Sequence, residues 1–446
     1  MGGIAMQSAA VPPSIRRELL RLAVPSAAFV LLTNAYRVVD QYWVDAISVA
    51  AQAAVGSTMF VLVVAYASFE VLSAGCGPLM ARATGARDDA RRRAAFGQAL
   101  FGALVLAAAW AALGGLGAET VAGSLGLEDA ARTEAARYLA ALSVTSLPLV
   151  LTPVLDQAFL AMGNARAPLI LHGVALAGNL VLTPLFVVGF DWGVVGAALA
   201  SNLSRAVSSG WGLIYLSREL ELRPSDLRPG GLLLRTARIG LPMASSTALY
   251  GFAYWALLYA AVSPLGPEVN AALGIGWSAL EGLSWPTFHG VGLAVASMVG
   301  RRLGARDLEG ALEAAKEGLR PTIVIGLFVS VVFIVFARPL CAIFASDPVV
   351  LEEAVLYARI IGVSQLFVAL ESTAEGVLAG AGDTRAIFMT SAPLNLLRIP
   401  LAWALAFPVG LGSAGIWWAM SATTVVKCGL KLALMLRGRW TTLELG

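Results

Sequence analysis

Asp40 follows Tyr36 by four residues and Arg37 by three in the stretch AYRVVDQYW (35–43), whose other members are mostly apolar or aromatic. A carboxylate and a guanidinium at helical spacing can pair, and in an apolar setting the carboxylate can instead take up and release a proton. Further ionisable residues stand in apolar surroundings along the chain: Glu70, Asp156, Glu281, His289, Glu371, Glu375 and Arg398. Ionisable groups at membrane depth are costly, so each is a functional candidate by default.

The elements that carry these residues must be membrane spans. Of 446 residues, 58% are hydrophobic and 13% charged, and the mean hydropathy is +0.77, well beyond a soluble domain. Twelve apolar runs of roughly 20 residues, the length that crosses a bilayer as helix, lie near 22–46, 54–80, 95–117, 138–162, 167–190, 193–217, 237–263, 268–300, 321–345, 354–380, 385–409 and 412–436. Residues 1–15 hold no apolar core of signal-peptide length, so the first run is expected to be a retained span. With both termini placed in the cytoplasm, one face receives the basic loops, among them Arg91–Arg93, Arg301, Arg302, Arg306 and Arg385, while the other receives only Arg132, Arg137, Arg338 and Arg359. That bias predicts termini inside and an even number of spans. The RRR run at 91–93 is read as topological, and no nucleic-acid partner is expected. Cys76, Cys341 and Cys428 form no CxxC and are read as packing residues. Two histidines, His172 and His289, are too few for a di-metal membrane enzyme, and neither a metal nor a cofactor is expected.

The chain repeats itself. ATGARDDARRRAA (83–95) returns as RLGARDLEGALEAA (302–315), with Gly85 and Gly304 separated by 219 residues (304 − 85). MGNARA (162–167) returns as AGDTRA (381–386), NLVLTP (179–184) as NLLRIP (395–400), and GVVGAALA (193–200) as GSAGIWWA (412–419). Six spans per repeat mean that both halves enter the membrane from the same side, an arrangement suited to alternating access around a midplane cavity. The predicted organisation is a first lobe over 1–216, a cytoplasmic linker over 217–235 and a second lobe over 236–446, all α-helical.

These landmarks resemble the multidrug and toxic compound extrusion (MATE) family. Tyr36 and Asp40 match the tyrosine and aspartate of its first-helix pattern, GARD (85–88 and 304–307) its loops after the second and eighth helices, GDTR (382–385) its loop before the eleventh, and Asn179 and Pro184 the asparagine and proline of its fifth helix. The resemblance implies two six-helix lobes forming a V and a monomer in the cell membrane. It also implies export of small organic, often cationic and amphipathic, compounds coupled to a cation, H+ or Na+. Thr183 stands where one branch has a second aspartate, and Arg37 where an asparagine is usual.

Within that frame Asp40 has two readings, an ion pair with Arg37 or a proton-exchanging group facing the cavity beside Tyr36 and Asn179; the second is preferred. Thr183 is then a neutral hydrogen-bonding partner in the cavity, or back-bonds to its own helix. Glu281 and Glu371 are further coupling candidates, and Asn395 and Arg398 line the second lobe's share of the cavity. Glu70 and His289, like Asp156 and Glu375, occupy positions 219 apart; all four are read as polar ties to loop arginines or between lobes, closing an inner gate. Pro25, Pro184, Pro242, Pro286 and Pro400 would bend or kink their helices. Two rivals are a lipid-linked oligosaccharide flippase, which would need a more cationic cavity, and an intramembrane transferase, for which neither DDxxD nor HxxxxD is present. The chain has no Walker loop, so ATP-driven pumping is not expected.

Overall fold

The computed structural model describes residues 14–45 and 47–445, with all side chains among them except those of Arg37, Gln41, Asp45, Met59 and Phe60. The helices are α1 (Ile15–Asp45), α2 (Val49–Gly85), α3 (Asp89–Ser124), α4 (Asp129–Val144), α5 (Leu147–Ala161), α6 (Arg166–Pro184) and α7 (Gly193–Glu219), then α8 (Gly231–Leu257), α9 (Pro267–Gly274), α10 (Gly282–Gly304), α11 (Leu308–Val335), α12 (Ala337–Cys341), α13 (Pro348–Ala381), α14 (Thr384–Ala406) and α15 (Gly412–Arg437). In lipid a helix satisfies every backbone polar group within itself, so apolar runs of this length have no open alternative.

Among the described residues eight helices are long and apolar enough to cross a bilayer, and the pair α4 and α5, bent by 52°, makes a ninth. The remaining crossings are α7, α14 and the succession α9–α10, which is joined through a π-helical stretch, Ile275–Glu281. These three carry Arg205, Arg398, and Glu281 with His289. The runs at 138–162 and 268–300 are therefore broken spans, not single straight helices. The helix in the run at 321–345 stops at Val335, and the short α12 follows from Ala337.

The repeat is visible atom by atom at the helix starts. Asp88 accepts from the Arg91 N–H at 2.9 Å and Asp307 from the Gly310 N–H at 2.9 Å, each capping a helix N-terminus. Arg87 and Arg306, 219 apart, both take left-handed backbone, with φ of 55° and 60°. Asn164 and Asp383 likewise accept from the N–H groups of Ala167 and Ala386.

Between the halves a 3-10 turn, Pro224–Leu227, leads to α8, which begins at Gly231, inside the stretch read as linker. The cause is apolar: Leu232 and Leu233 pack against the first half's core, and Gln98 accepts from the Leu233 N–H at 2.7 Å. Residues 14, 219–231 and 445 gather at one end of the bundle, here the terminal end. There a separate core cluster joins Leu19, Leu22 and Phe29 of α1 to Val295 and Met298 of α10, Val377 of α13 and Met435 of α15. The first helix of one half is thus packed onto the other half.

Candidate functional site

In the first half α1, α6 and α7 converge on Asp40. Asn179 of α6 donates Nδ2 to Asp40 Oδ1 at 2.9 Å, and Ser201 of α7 donates Oγ to Oδ2 at 2.6 Å. Asn179 also reaches Ser201 Oγ at 3.3 Å, closing a triangle around the carboxylate. One turn back along α1, Tyr36 donates its hydroxyl to the Ser201 carbonyl at 2.7 Å and lies 2.6 Å from Ser204 Oγ. The Arg205 guanidinium sits over the Tyr36 ring, 3.9 Å from its centroid. One carboxylate, two neutral donors to it and a guanidinium one layer away form a site that can hold or give up a proton with its geometry kept.

Thr183 does not join this site. Its side chain is fully buried, and its hydroxyl has no hydrogen-bond partner among the described residues. The hydroxyl on Asp40 belongs instead to Ser201, on a different helix. The side chain of Arg37 lies outside the described residues, so the ion pair with Asp40 has no structural description; the described partners of Asp40 are Asn179 and Ser201.

The second half holds a different arrangement. Glu371 of α13 lies 3.1 Å from Lys427 Nζ and 2.7 Å from Lys431 Nζ, both of α15, and Lys431 also meets Glu375. In this ladder of two acids and two ammonium groups Glu371, Lys427 and Lys431 are buried, with Lys431 only 1% exposed, while Glu375 is partly exposed. Glu281 accepts from the Tyr357 hydroxyl. Arg398 donates to Thr423 at 3.0 Å and Thr424 at 3.3 Å and lies 5.6 Å from the Tyr254 ring centroid. Asn395 is buried with its Oδ1 unpartnered.

Of the four residues read as an inner gate, Glu70, His289 and Glu375 line one cavity of about 130 Å³ between the halves, toward the terminal end. Glu70 has Thr247 of α8 as its side-chain hydrogen-bond partner, a tie between lobes. Asp156 stands apart, bonded to His172 at 2.9 Å within the first half. The partners described for these residues are Thr247 for Glu70, His172 for Asp156 and Lys431 for Glu375. Arg301 and Arg302 instead grip Glu18 of α1, at 2.8 and 2.7 Å. Arg82 donates to the Ala381 carbonyl at 2.9 Å in the same layer.

Glu18, His172, Ser201, Arg205, Lys427 and Lys431 were not singled out from sequence. Basic residues inside the runs at 193–217 and 412–436 were the available signal, since an unpaired cation there is as costly as an acid. The partners of these basic residues, 56 or more residues away, were not readable.

Comparisons with known proteins fit this architecture. The MatE family model matches residues 25–185 and 242–404. The chain is 28% identical over 437 residues to a probable multidrug resistance protein NorM of Thermotoga maritima, covering 96% of this chain and 94% of that one. It is 25% identical over 355 residues to an FAD transporter of Shewanella oneidensis, 78% of each. A solved structure described as the outward-facing conformation of a multidrug resistance MATE family transporter superposes with a TM-score of 0.89 at 21% identity over 96% of both chains, which establishes likeness of fold. The two matched stretches take in Asp40 and Asn179 in one half and Glu371 and Arg398 in the other, and on that ground the chain belongs to the MatE family of multi-pass membrane transporters.

Proposed function

We propose that the protein is a cell-membrane antiporter that exports amphipathic organic solutes, cations among them, in exchange for protons, with its termini in the cytoplasm. The relatives named for multidrug resistance and export support the substrate side of this reading. The observation that carries the coupling side is the Asp40 carboxylate, enclosed by Asn179 and Ser201 on helices of one half. Loading and unloading that carboxylate changes the charge of the half and so biases which arrangement of the halves is favoured. Glu371 is held between two ammonium groups and is better suited to bracing α13 against α15. Glu281, bonded to a tyrosine, is the second coupling candidate. Sodium is the alternative coupling ion, and the transporter works as a monomer. The flippase reading draws no support from the relatives, and none of them suggests an intramembrane transferase.

The test is transport of a drug-like cation into proteoliposomes under a pH gradient and, separately, a sodium gradient. A pH gradient should drive it and a sodium gradient should not. Transport driven by sodium alone would reassign the ion, and transport driven by neither would remove the antiport reading.

A further inference from the structure

The Asp40 site has a second polar rung below it. Asp40 and Asn179 are 139 residues apart, and so are Thr33 and His172, which meet at 3.2 Å between Thr33 Oγ1 and His172 Nδ1. Both helices run away from the terminal end, so the lower rung sits one heptad nearer that end, about 10 Å along the axis at 1.5 Å per residue, on nearly the same face. His172 continues to Asp156 of α5, with Nε2 2.9 Å from Oδ2. Neither His172 nor Asp156 is needed by the coupling scheme above.

The hydrogen-bond pattern counts protons. The single Thr33 hydroxyl hydrogen has two acceptors in reach, the Phe29 carbonyl at 3.0 Å and His172 Nδ1 at 3.2 Å, so Nδ1 is satisfied either bare, accepting from Thr33, or protonated, donating to it. The 2.9 Å contact between Nε2 and the Asp156 oxygen holds a hydrogen in both forms. The two forms differ by one proton, with the hydroxyl turning between its acceptors. Asp156 Oδ1 is buried and has no hydrogen-bond partner among the described residues. The pair is therefore a holder for one exchangeable proton.

It is also mechanically placed. Phe29 stacks on the His172 ring, with centroids 5.3 Å apart, and Phe29 and Thr33 both lie on α1, the helix packed along α10 of the other half. A shift of α1 alters the two contacts that fix the imidazole. The charged or titratable groups brought to this region by the elements around α6 are Asp156 from α5, Tyr36 and Asp40 from α1, and Arg205 and Tyr215 from α7.

We propose that Asp156 and His172 form a second proton-binding site in the first half, one heptad from Asp40 on its terminal side, which exchanges the coupled proton with Asp40 during the cycle. The transport part of this inference rests on the antiport reading; the proton-binding part does not. Proton release from detergent-solubilised protein, after a jump from pH 5 to pH 8 in weakly buffered dye solution, tests it directly. Relative to the Asp40→Asn variant, the further change His172→Gln should remove about one released proton per chain, because imidazole is the side chain whose ordinary charge change falls in that window. Asp156→Asn in the same background should remove the same proton. Single His172→Gln protein in proteoliposomes should show pH-driven transport reduced at least about tenfold. An unchanged proton count in both double variants would overturn the site. An unchanged rate in single His172→Gln protein would overturn the exchange with Asp40. Failure of the wild type to respond to a pH gradient would sink the antiport reading while leaving the proton count interpretable.

Discussion

Gly85 and Gly304, 219 residues apart, meet the opposite half reciprocally: a Cβ on Gly85 would lie 1.7 Å from the Arg301 carbonyl oxygen, and one on Gly304 would lie 2.0 Å from that of Arg82. The pseudo-twofold axis of the repeat passes between these contacts, at the terminal end. Only the lack of a side chain lets the two backbones come this close.

Gly304→Val should therefore hold the halves apart at that end, at a cost of about 1–3 kcal/mol to the closed arrangement. A cysteine at Ser297, buried at this interface, should become more reactive to a water-soluble maleimide in the Gly304→Val background. Equal labelling with and without the valine would show that this contact does not govern closure.

Glu18 should act as the ionic counterpart of that contact, since it pairs with both Arg301 and Arg302 across the interface. Glu18→Gln leaves two partly buried guanidiniums without their carboxylate, a change of about 3 kcal/mol against the closed state. Spin labels on the two halves near the terminal end should report a longer mean distance in Glu18→Gln protein. A distance distribution matching the wild type would place the closing energy in the apolar cluster around Leu19, Leu22 and Met298 instead.

Ser201 and Thr183 offer a paired comparison. Ser201→Ala removes a 2.6 Å hydrogen bond to the Asp40 carboxylate, worth about 1.5–3 kcal/mol for a charged acceptor, and should slow proton-driven transport roughly tenfold or more. Thr183→Val replaces an unpartnered buried hydroxyl with an isosteric methyl and should leave transport within about twofold. The reverse ranking, measured as initial rates in the same vesicles, would return the role to Thr183.

That pair also shows what a single sequence reveals. The GARD loops were readable because the capping aspartates Asp88 and Asp307 and the turns before them are local, written in consecutive residues. Asp40 and Asn179 were readable as polar residues out of place in apolar runs. Thr183 was singled out by the position of a second aspartate in one branch of the resembling family, which says nothing about a serine on another helix that reaches the Asp40 carboxylate. Glu371 stood out as a membrane acid, but its lysines lie on α15, and pairing across 56 and 60 residues (427 − 371 and 431 − 371) leaves no periodic trace.

The lysine ladder should reveal itself as structure. Glu371→Gln takes the carboxylate from Lys427 and leaves Lys431 with Glu375, and breaking a buried pair costs about 3–5 kcal/mol. The thermal midpoint of the detergent-solubilised variant should fall by several degrees, with the pH dependence of transport kept in the protein that remains folded. An unchanged midpoint together with lost proton drive would make Glu371 a coupling acid.

The most direct measurement of the central claim is pH-gradient-driven export by Asp40→Asn protein, at matched amounts of protein in the membrane. The amide keeps a similar shape and can still bond with Ser201 and Asn179, but it cannot release a proton. Export driven by the gradient should fall at least about a hundredfold. A rate equal to the wild type would contradict the account and move the coupling to the second half.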